Sequence, residues 1–217
     1  MPIHFSEKDK TFKLDTNNSS YIIAVYEENY LLNLYYGAFI PDSFVPNRAM
    51  RTPNASFSPA NPVIGEHGFS PDTAPIEYGT SGAGDFRIAA LEIENSNGDS
   101  VTDIRYTGYK IYDGKKEIPK MPSSYVNSDS EAQTLEIYAE DSVTGAQVTL
   151  YYTVFQKYDV ITRRVRVTNG SMKKMRLERA MSLCLDLPDM DYDLISLYGC
   201  HAKERNIERR PLAHGIQ

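Results

Sequence analysis

Apolar and polar positions alternate with period two in short segments along most of this chain, most clearly over Thr162-Arg163-Arg164-Val165-Arg166-Val167. That period places successive side chains on opposite faces of a strand, one wet and one buried. Four such segments crowd into Gln147 to Arg210: Val148–Phe155, Tyr158–Asn169, Met175–Asp186 and Tyr192–Gly199, all rich in β-branched and aromatic residues. Between them stand turn formers: Gln156-Lys157, Asn169-Gly170-Ser171 and Pro188-Asp189-Met190-Asp191. A repeat of roughly ten residues from strand to strand predicts antiparallel hairpins in a sandwich, not βαβ units.

The N-terminal part follows the same rule. Strands are predicted around His4-Phe5, Phe12–Leu14, Tyr21–Tyr26 and Tyr30–Tyr36, with Glu27-Glu28-Asn29 as a hairpin connection. They resume at Arg87–Ile93, Val101–Tyr112 and Thr134–Tyr138, with Asn95-Ser96-Asn97-Gly98-Asp99 as a strong turn signal. Helix signals are nearly absent, so the fold class is all-β and antiparallel. From Gly37 to Phe86 the alternation stops, and seven of the twelve prolines fall there. That density excludes central strands and regular helix. Scattered apolar residues, Phe39, Phe44, Val63 and Phe69 among them, favour an ordered arm packed on another surface over a floppy insertion.

Composition narrows the partners. With 217 residues, 41% hydrophobic and 24% charged, the chain can form one large β-domain or two small ones around a core. A net charge of -6 argues against nucleic acid or an anionic membrane as partner. The N-terminus shows no basic and apolar leader pattern and no stretch reaches membrane-spanning length, so the expected location is cytoplasmic. Cys184 and Cys200 could meet across neighbouring strands, but two reduced, buried thiols are expected.

Candidate chemistry is sparse. His4, His67, His201 and His214 lack metal-ligand spacing, and no metal or cofactor is expected. The acidic run Asp186 to Asp193 reads as a hairpin turn before it reads as a glycosidase pair. Gly79-Thr80-Ser81-Gly82-Ala83-Gly84 lacks the following lysine of a phosphate loop and reads as a turn. Lys203 to Arg210 is either a solvated edge strand or an ion-pair surface for another domain or subunit. No active site can be assembled from these pieces.

A set of motifs, in order, carries a resemblance. They are Tyr35-Tyr36-Gly37, Phe57-Ser58-Pro59, Glu77-Tyr78-Gly79, Gly84-Asp85-Phe86-Arg87, Met121-Pro122-Ser123-Ser124-Tyr125 and Glu131 to Ile137. Arg179 to Leu183, Asp186-Leu187-Pro188, Asp191-Tyr192-Asp193 and Glu204 to Leu212 follow. Together they resemble the N-terminal domain of bacterial glycoside hydrolase family 36 α-galactosidases over nearly the whole chain. The resemblance implies a galactose-mutarotase-like β-supersandwich preceding a catalytic (β/α)₈ barrel. It implies retaining cleavage of terminal α-galactosyl residues by two aspartates of that barrel, neither of them in this chain.

On that basis residues 1–217 are an incomplete N-terminal sandwich with a proline-rich arm at about 37–86, inactive alone. Its partners are the barrel of the same protein, further copies in a homo-oligomer and, through the full-length enzyme, an α-galactoside. The resemblance also implies that the arm reaches a neighbour's active site. Asn54, with Arg51 nearby, stands where the family often has an Asp-Arg pair, so these two are the expected substrate-binding residues across a subunit interface. Asparagine there can hydrogen-bond a hydroxyl but brings no charge. The chain has no tryptophan, and Tyr36 and His201 stand where the family often has one. The rival expectation is a stand-alone carbohydrate-binding or protein-interaction module.

Overall fold

The structure, a computed structural model, describes residues 1–41, 69–82, 84–187 and 190–213. The chain divides into two compact units, Met1–Asp186 and Leu187–Gln217. The first unit is built on two antiparallel four-stranded sheets. One is β1 (Ile3–Ser6), β2 (Thr11–Asp15), β3 (Ser19–Tyr26) and β4 (Tyr30–Ala38), in that order. The other is β6 (Arg105–Asp113), β7 (Gln133–Glu140), β8 (Ala146–Phe155) and β9 (Val160–Asn169), also in order. A third, two-stranded ladder joins β5 (Leu91–Glu94) to β10 (Arg176–Ala180).

Period-two patterning explains how the sheets meet. Phe12 and Leu14 of β2, Tyr21, Ile23 and Val25 of β3, and Val148, Leu150, Tyr152 and Val154 of β8 share one buried cluster. Each set recurs at alternate positions, so each strand turns one face to the same core. Leu135 and Ile137 of β7 enter it from the strand beside β8, and Leu150 is paired directly with Ile137. A second cluster forms where Tyr26, Tyr30 and Leu32 meet Phe69 and Ala74 of the segment after the undescribed stretch. The Phe69 ring lies tilted against those of Tyr26 and Tyr30, with centroids 5.0 and 5.2 Å away.

The segment through Ile76 then runs beside β4. Asn33 donates its N–H to the Pro75 carbonyl at 2.7 Å, and Glu77 donates to Leu31 at 2.9 Å. These bonds fix the backbone that presents Glu77. The loop continues through Gly82, where φ is +83° and an added Cβ would stand 2.8 Å from the Val101 Cα. Only glycine meets both demands there.

The all-β antiparallel architecture follows the sequence pattern, with three local departures. Arg87–Ala90 and Val101–Ile104 are not strand, because their N–H groups go to the glycine loop and to the carboxylates of Asp85, Asp99 and Asp141. Ala90 and Leu91 donate to the Gly79 carbonyl, and Thr102 donates to Ser81. The strand expected over Met175–Asp186 ends at Ala180, and Met181 donates a last bond to Ala90. Both cysteines are free, but Cys200 is exposed and Cys184 only half-buried, against the expectation of two buried thiols.

The second unit is a single ribbon, β11 (Asp193–Cys200) paired antiparallel with β12 (Lys203–Pro211). The charged run from Lys203 is therefore a strand of this ribbon. Leu197 lies opposite Ile207, with Ile195 on the same face, and Arg209 pairs with Asp193. No helix among the described residues is long and apolar enough to cross a membrane.

Leu150 is fully buried at the middle of β8, whereas Val143 is 92% exposed in the β7–β8 turn. Leu150→Ala should lower unfolding free energy by about 3 kcal/mol. Val143→Ala should stay within about 0.5 kcal/mol. Denaturant midpoints of the two variants check the pair.

Candidate functional site

Both four-stranded sheets and the glycine loop converge on Glu77, whose exposure is 0%. Its carboxylate accepts from the Tyr21 hydroxyl on β3, at 2.9 Å to Oε1 and 2.7 Å to Oε2. Oε1 also accepts from the Tyr152 hydroxyl on β8 and from Arg163 Nη1 on β9, each at 2.6 Å. Asn33 Nδ2 donates to the Tyr21 oxygen at 3.3 Å, extending the network to β4. Tyr152 and Arg163 are direct cross-strand partners, which places both side chains on the core face of their sheet.

Arg163 sits at an apolar parity position. Ile161, Val165 and Val167, two residues away on either side or further along, pack against the core, and Arg163 points the same way. Its guanidinium lies 4.9 Å from the Tyr152 ring centroid and 5.7 Å from that of Tyr78. Nε and Nη2 are buried with no hydrogen-bond partner. The cation is thus held by one carboxylate contact and two aromatic faces.

Electrostatics follow from this burial. Loss of water pushes the Glu77 carboxyl upward, against the pull of Arg163 and the two phenol donors. Burial, with the Glu77 charge adding to it, drives the Tyr21 and Tyr152 phenols well up. Tyr78 is pushed up to about 12, chiefly by burial. For Arg163, burial acts against the charge, but Tyr152 and Glu77 outweigh it and the guanidinium is held up. The Cys184 thiol is raised by burial and then by Asp186.

The cluster is closed to acid–base chemistry. Both Glu77 oxygens are occupied by donors, and a glycosidase needs a second carboxylate facing the same sugar across roughly 5–10 Å. Asp186, which adds to the field at Glu77, is itself paired with Arg87 at 2.7 Å. Arg87 also holds Asp85 at 2.8 Å and the Pro71 and Ala74 carbonyls. These contacts staple the loop; they do not leave a reactive group free. No group of three metal-ligating side chains occurs among the described residues.

Beside the cluster lies a recess of about 180 Å³, walled by Tyr21, Tyr36, Tyr152, Asp159 and Leu185. Tyr36 stands at its rim, 48% exposed, and its ring is 5.7 Å from Tyr21. The recess combines tyrosine rings with the Arg163 guanidinium and the Asp159 carboxylate, which already accepts from the Asn18 N–H at 2.9 Å.

The expected substrate-binding residues Asn54 and Arg51 lie outside the described residues. His201 is exposed between β11 and β12. Within the acidic run, Asp193 pairs with Arg209 and Asp186 with Arg87, while 188–189 are outside the described residues. Sequence reasoning gave no role to Glu77 or Arg163. A signal existed for the second, a charge at the buried parity of β9.

Comparison with known proteins adds a family. The model of the glycosyl hydrolase family 36 N-terminal domain matches residues 29–217. The α-galactosidase AgaA of Geobacillus stearothermophilus is 39% identical over 217 residues, which is 100% of this chain and 30% of the relative. The bifunctional α-galactosidase/sucrose kinase AgaSK of Mediterraneibacter gnavus is 36% identical, over 99% of this chain and 23% of its own length. Among solved structures, the α-galactosidase AgaB of Geobacillus stearothermophilus superposes with a TM-score of 0.92 at 39% identity, covering 100% of this chain and 29% of that one. A variant of AgaA in complex with stachyose gives 0.90 at 40% identity, over 96% and 29%. The chain therefore spans under a third of the length of the relatives it matches.

The closed cluster makes two predictions. Glu77→Gln leaves a buried cation without its counter-charge and should lower stability by about 3–5 kcal/mol. Tyr152→Phe removes one donor to a charged acceptor and should lower it by about 1.5–3 kcal/mol. Separately, the phenols of Tyr21, Tyr152 and Tyr78 lie above the ordinary value of 10.0 in the folded chain. A raised folded-state value means their contribution is complete below pH 10 and is lost as pH rises above it. Unfolding midpoints against pH should fall from that point upward, with phenolate absorbance growing as the fold is lost.

Proposed function

This chain belongs to the glycosyl hydrolase family 36 N-terminal domain family, and we propose that it is the non-catalytic N-terminal domain of an α-galactosidase. The parent enzyme hydrolyses terminal α-galactosyl residues with retention, in the cytoplasm. Cleavage is the work of a barrel in the remaining polypeptide, and this domain supports that barrel and the assembly of subunits. The proline-rich arm at about 37–86, with Asn54 and Arg51, contributes to the substrate entrance of a neighbouring copy. One observation carries the reading. Relatives named as α-galactosidases match across this whole chain, yet it accounts for under a third of them, and the fully buried carboxylate of Glu77 has both oxygens taken by donors. Stachyose in a related structure supports galactosylated oligosaccharides as the substrate class.

A second reading has the aromatic recess at Tyr36 in its favour: the domain binds sugar on its own. Titrating galactose and raffinose into residues 1–217 separates the two, since saturable binding by the chain alone belongs to the second. For the first reading, an aryl α-galactoside should be turned over by the full-length product and not by residues 1–217. Turnover by the shorter chain would overturn the division of labour.

The ribbon of the second unit bears on assembly. Ile195, Leu197 and Ile207 expose 62%, 64% and 74% of their surface on one face. A lone two-stranded ribbon with an apolar face needs a cover. Residues 1–217 should sediment as concentration-dependent oligomers, and Leu197→Lys with Ile207→Glu should shift them towards monomer. A monomer unaffected by either change would contradict a packing role for this face.

A further inference from the structure

Strand β9 ends its sheet. Its hydrogen-bonded neighbour among the described residues is β8 alone, in a register unbroken from Ala146↔Asn169 to Phe155↔Val160. Alternate N–H and C=O groups of Thr162 to Val167 therefore point away from the sheet. A groove of about 800 Å³ runs along this edge, between β9, the loop 118–124 and residues 180–182. Ile118, Met121 and Met181 make its apolar wall.

The charges in the groove have one sign. Among the described residues Lys115, Arg163, Arg164 and Arg166 line it and no carboxylate does, in a chain whose net charge is -6. Arg163 is engaged with Glu77. Arg164 and Arg166 lie 3.8 and 5.9 Å from the Tyr151 ring centroid and have no carboxylate partner among the described residues. Lys115 donates to the Ser124 carbonyl at 2.7 Å, and burial and then Arg164 lower its ammonium pKa. Apart from Arg163, these cations have no carboxylate partner among the described residues. Basic side chains also guard edges against unwanted pairing. A guard has no need of a groove with an apolar wall, nor of a straight edge lacking proline and bulge.

We propose that the β9 edge receives an added strand whose side chains alternate carboxylate with apolar, supplied by the parent polypeptide beyond these residues. Main-chain bonds run to β9, carboxylates meet Arg164, Arg166 and Lys115, and apolar side chains fill the wall of Ile118, Met121 and Met181. Thr162 to Val167 spans roughly 20 Å at about 3.3 Å per residue, which suits a strand of about six residues. The inference rests on the reading of this chain as part of a longer α-galactosidase.

Hydrogen exchange at Thr162–Val167 tests it, with synthetic peptides alternating Glu with Val or Lys with Val added to residues 1–217. At about ten times its Kd the acidic peptide should slow the outward amides about tenfold, and the basic one should not. Arg164→Glu with Arg166→Glu should reverse the preference. Protection by neither peptide, or equally by both, overturns the proposal. Protection that grows with the concentration of residues 1–217 alone overturns the choice of occupant. In the full-length product these amides should be protected without peptide. An enzyme that cleaves an α-galactoside while they exchange freely would overturn this inference and leave the functional reading standing. Protection in a product without that activity would support the pairing and count against the function.

Discussion

One buried carboxylate holds this fold in register. Glu77 reaches Tyr21, Tyr152 and Arg163 across 56, 75 and 86 residues of sequence, so it links both sheets to a loop that belongs to neither. A fully desolvated anion is tolerated only where its partners are fixed. Here they are fixed by the strands themselves, since Tyr152 and Arg163 face each other across β8 and β9. Nε and Nη2 of Arg163 have no hydrogen-bond partner among the described residues, so the contact of Nη1 with Glu77 carries the pairing of this cation. Arg87 repeats the device nearer the surface, gathering Asp85, Asp186 and two loop carbonyls.

That constraint shapes what the domain can contribute. Groups that do acid–base work need an open lone pair or a proton within reach of a substrate. In the network around Glu77, both carboxylate oxygens are taken up by Tyr21, Tyr152 and Arg163. What is left for recognition is peripheral: the recess at Tyr36, the cationic edge of β9 and the apolar face of the β11–β12 ribbon. They lie on a chain that accounts for under a third of the α-galactosidase relatives it matches.

The strands were legible because their evidence is local. Alternation in β8 and β9, the turn at Asn95–Asp99 with Gly98 at φ +87°, and the hairpin at Glu27–Asn29 all read directly from neighbouring residues. Where the sequence misled, at Arg87–Ala90 and Val101–Ile104, Ala90 and Thr102 bond to the glycine loop and Asp103 to Asp141, partners that no alternation pattern reports. Glu77 was hidden for the same reason: it stands in an aperiodic stretch and its partners are all distant. Arg163 could have been found. In Ile161-Thr162-Arg163-Arg164-Val165 the first, third and fifth positions turn inward, and a guanidinium at such a position demands a buried counter-charge.

The claim that Glu77 and Arg163 act as one structural unit has a direct test, a double-mutant cycle with Glu77→Gln and Arg163→Met followed by equilibrium unfolding. Replacing both members should destabilise far less than the sum of the single changes, with a coupling of about 2 kcal/mol or more. Single effects that add to within about 0.5 kcal/mol would mean that the pair is not what ties the sheets to the loop.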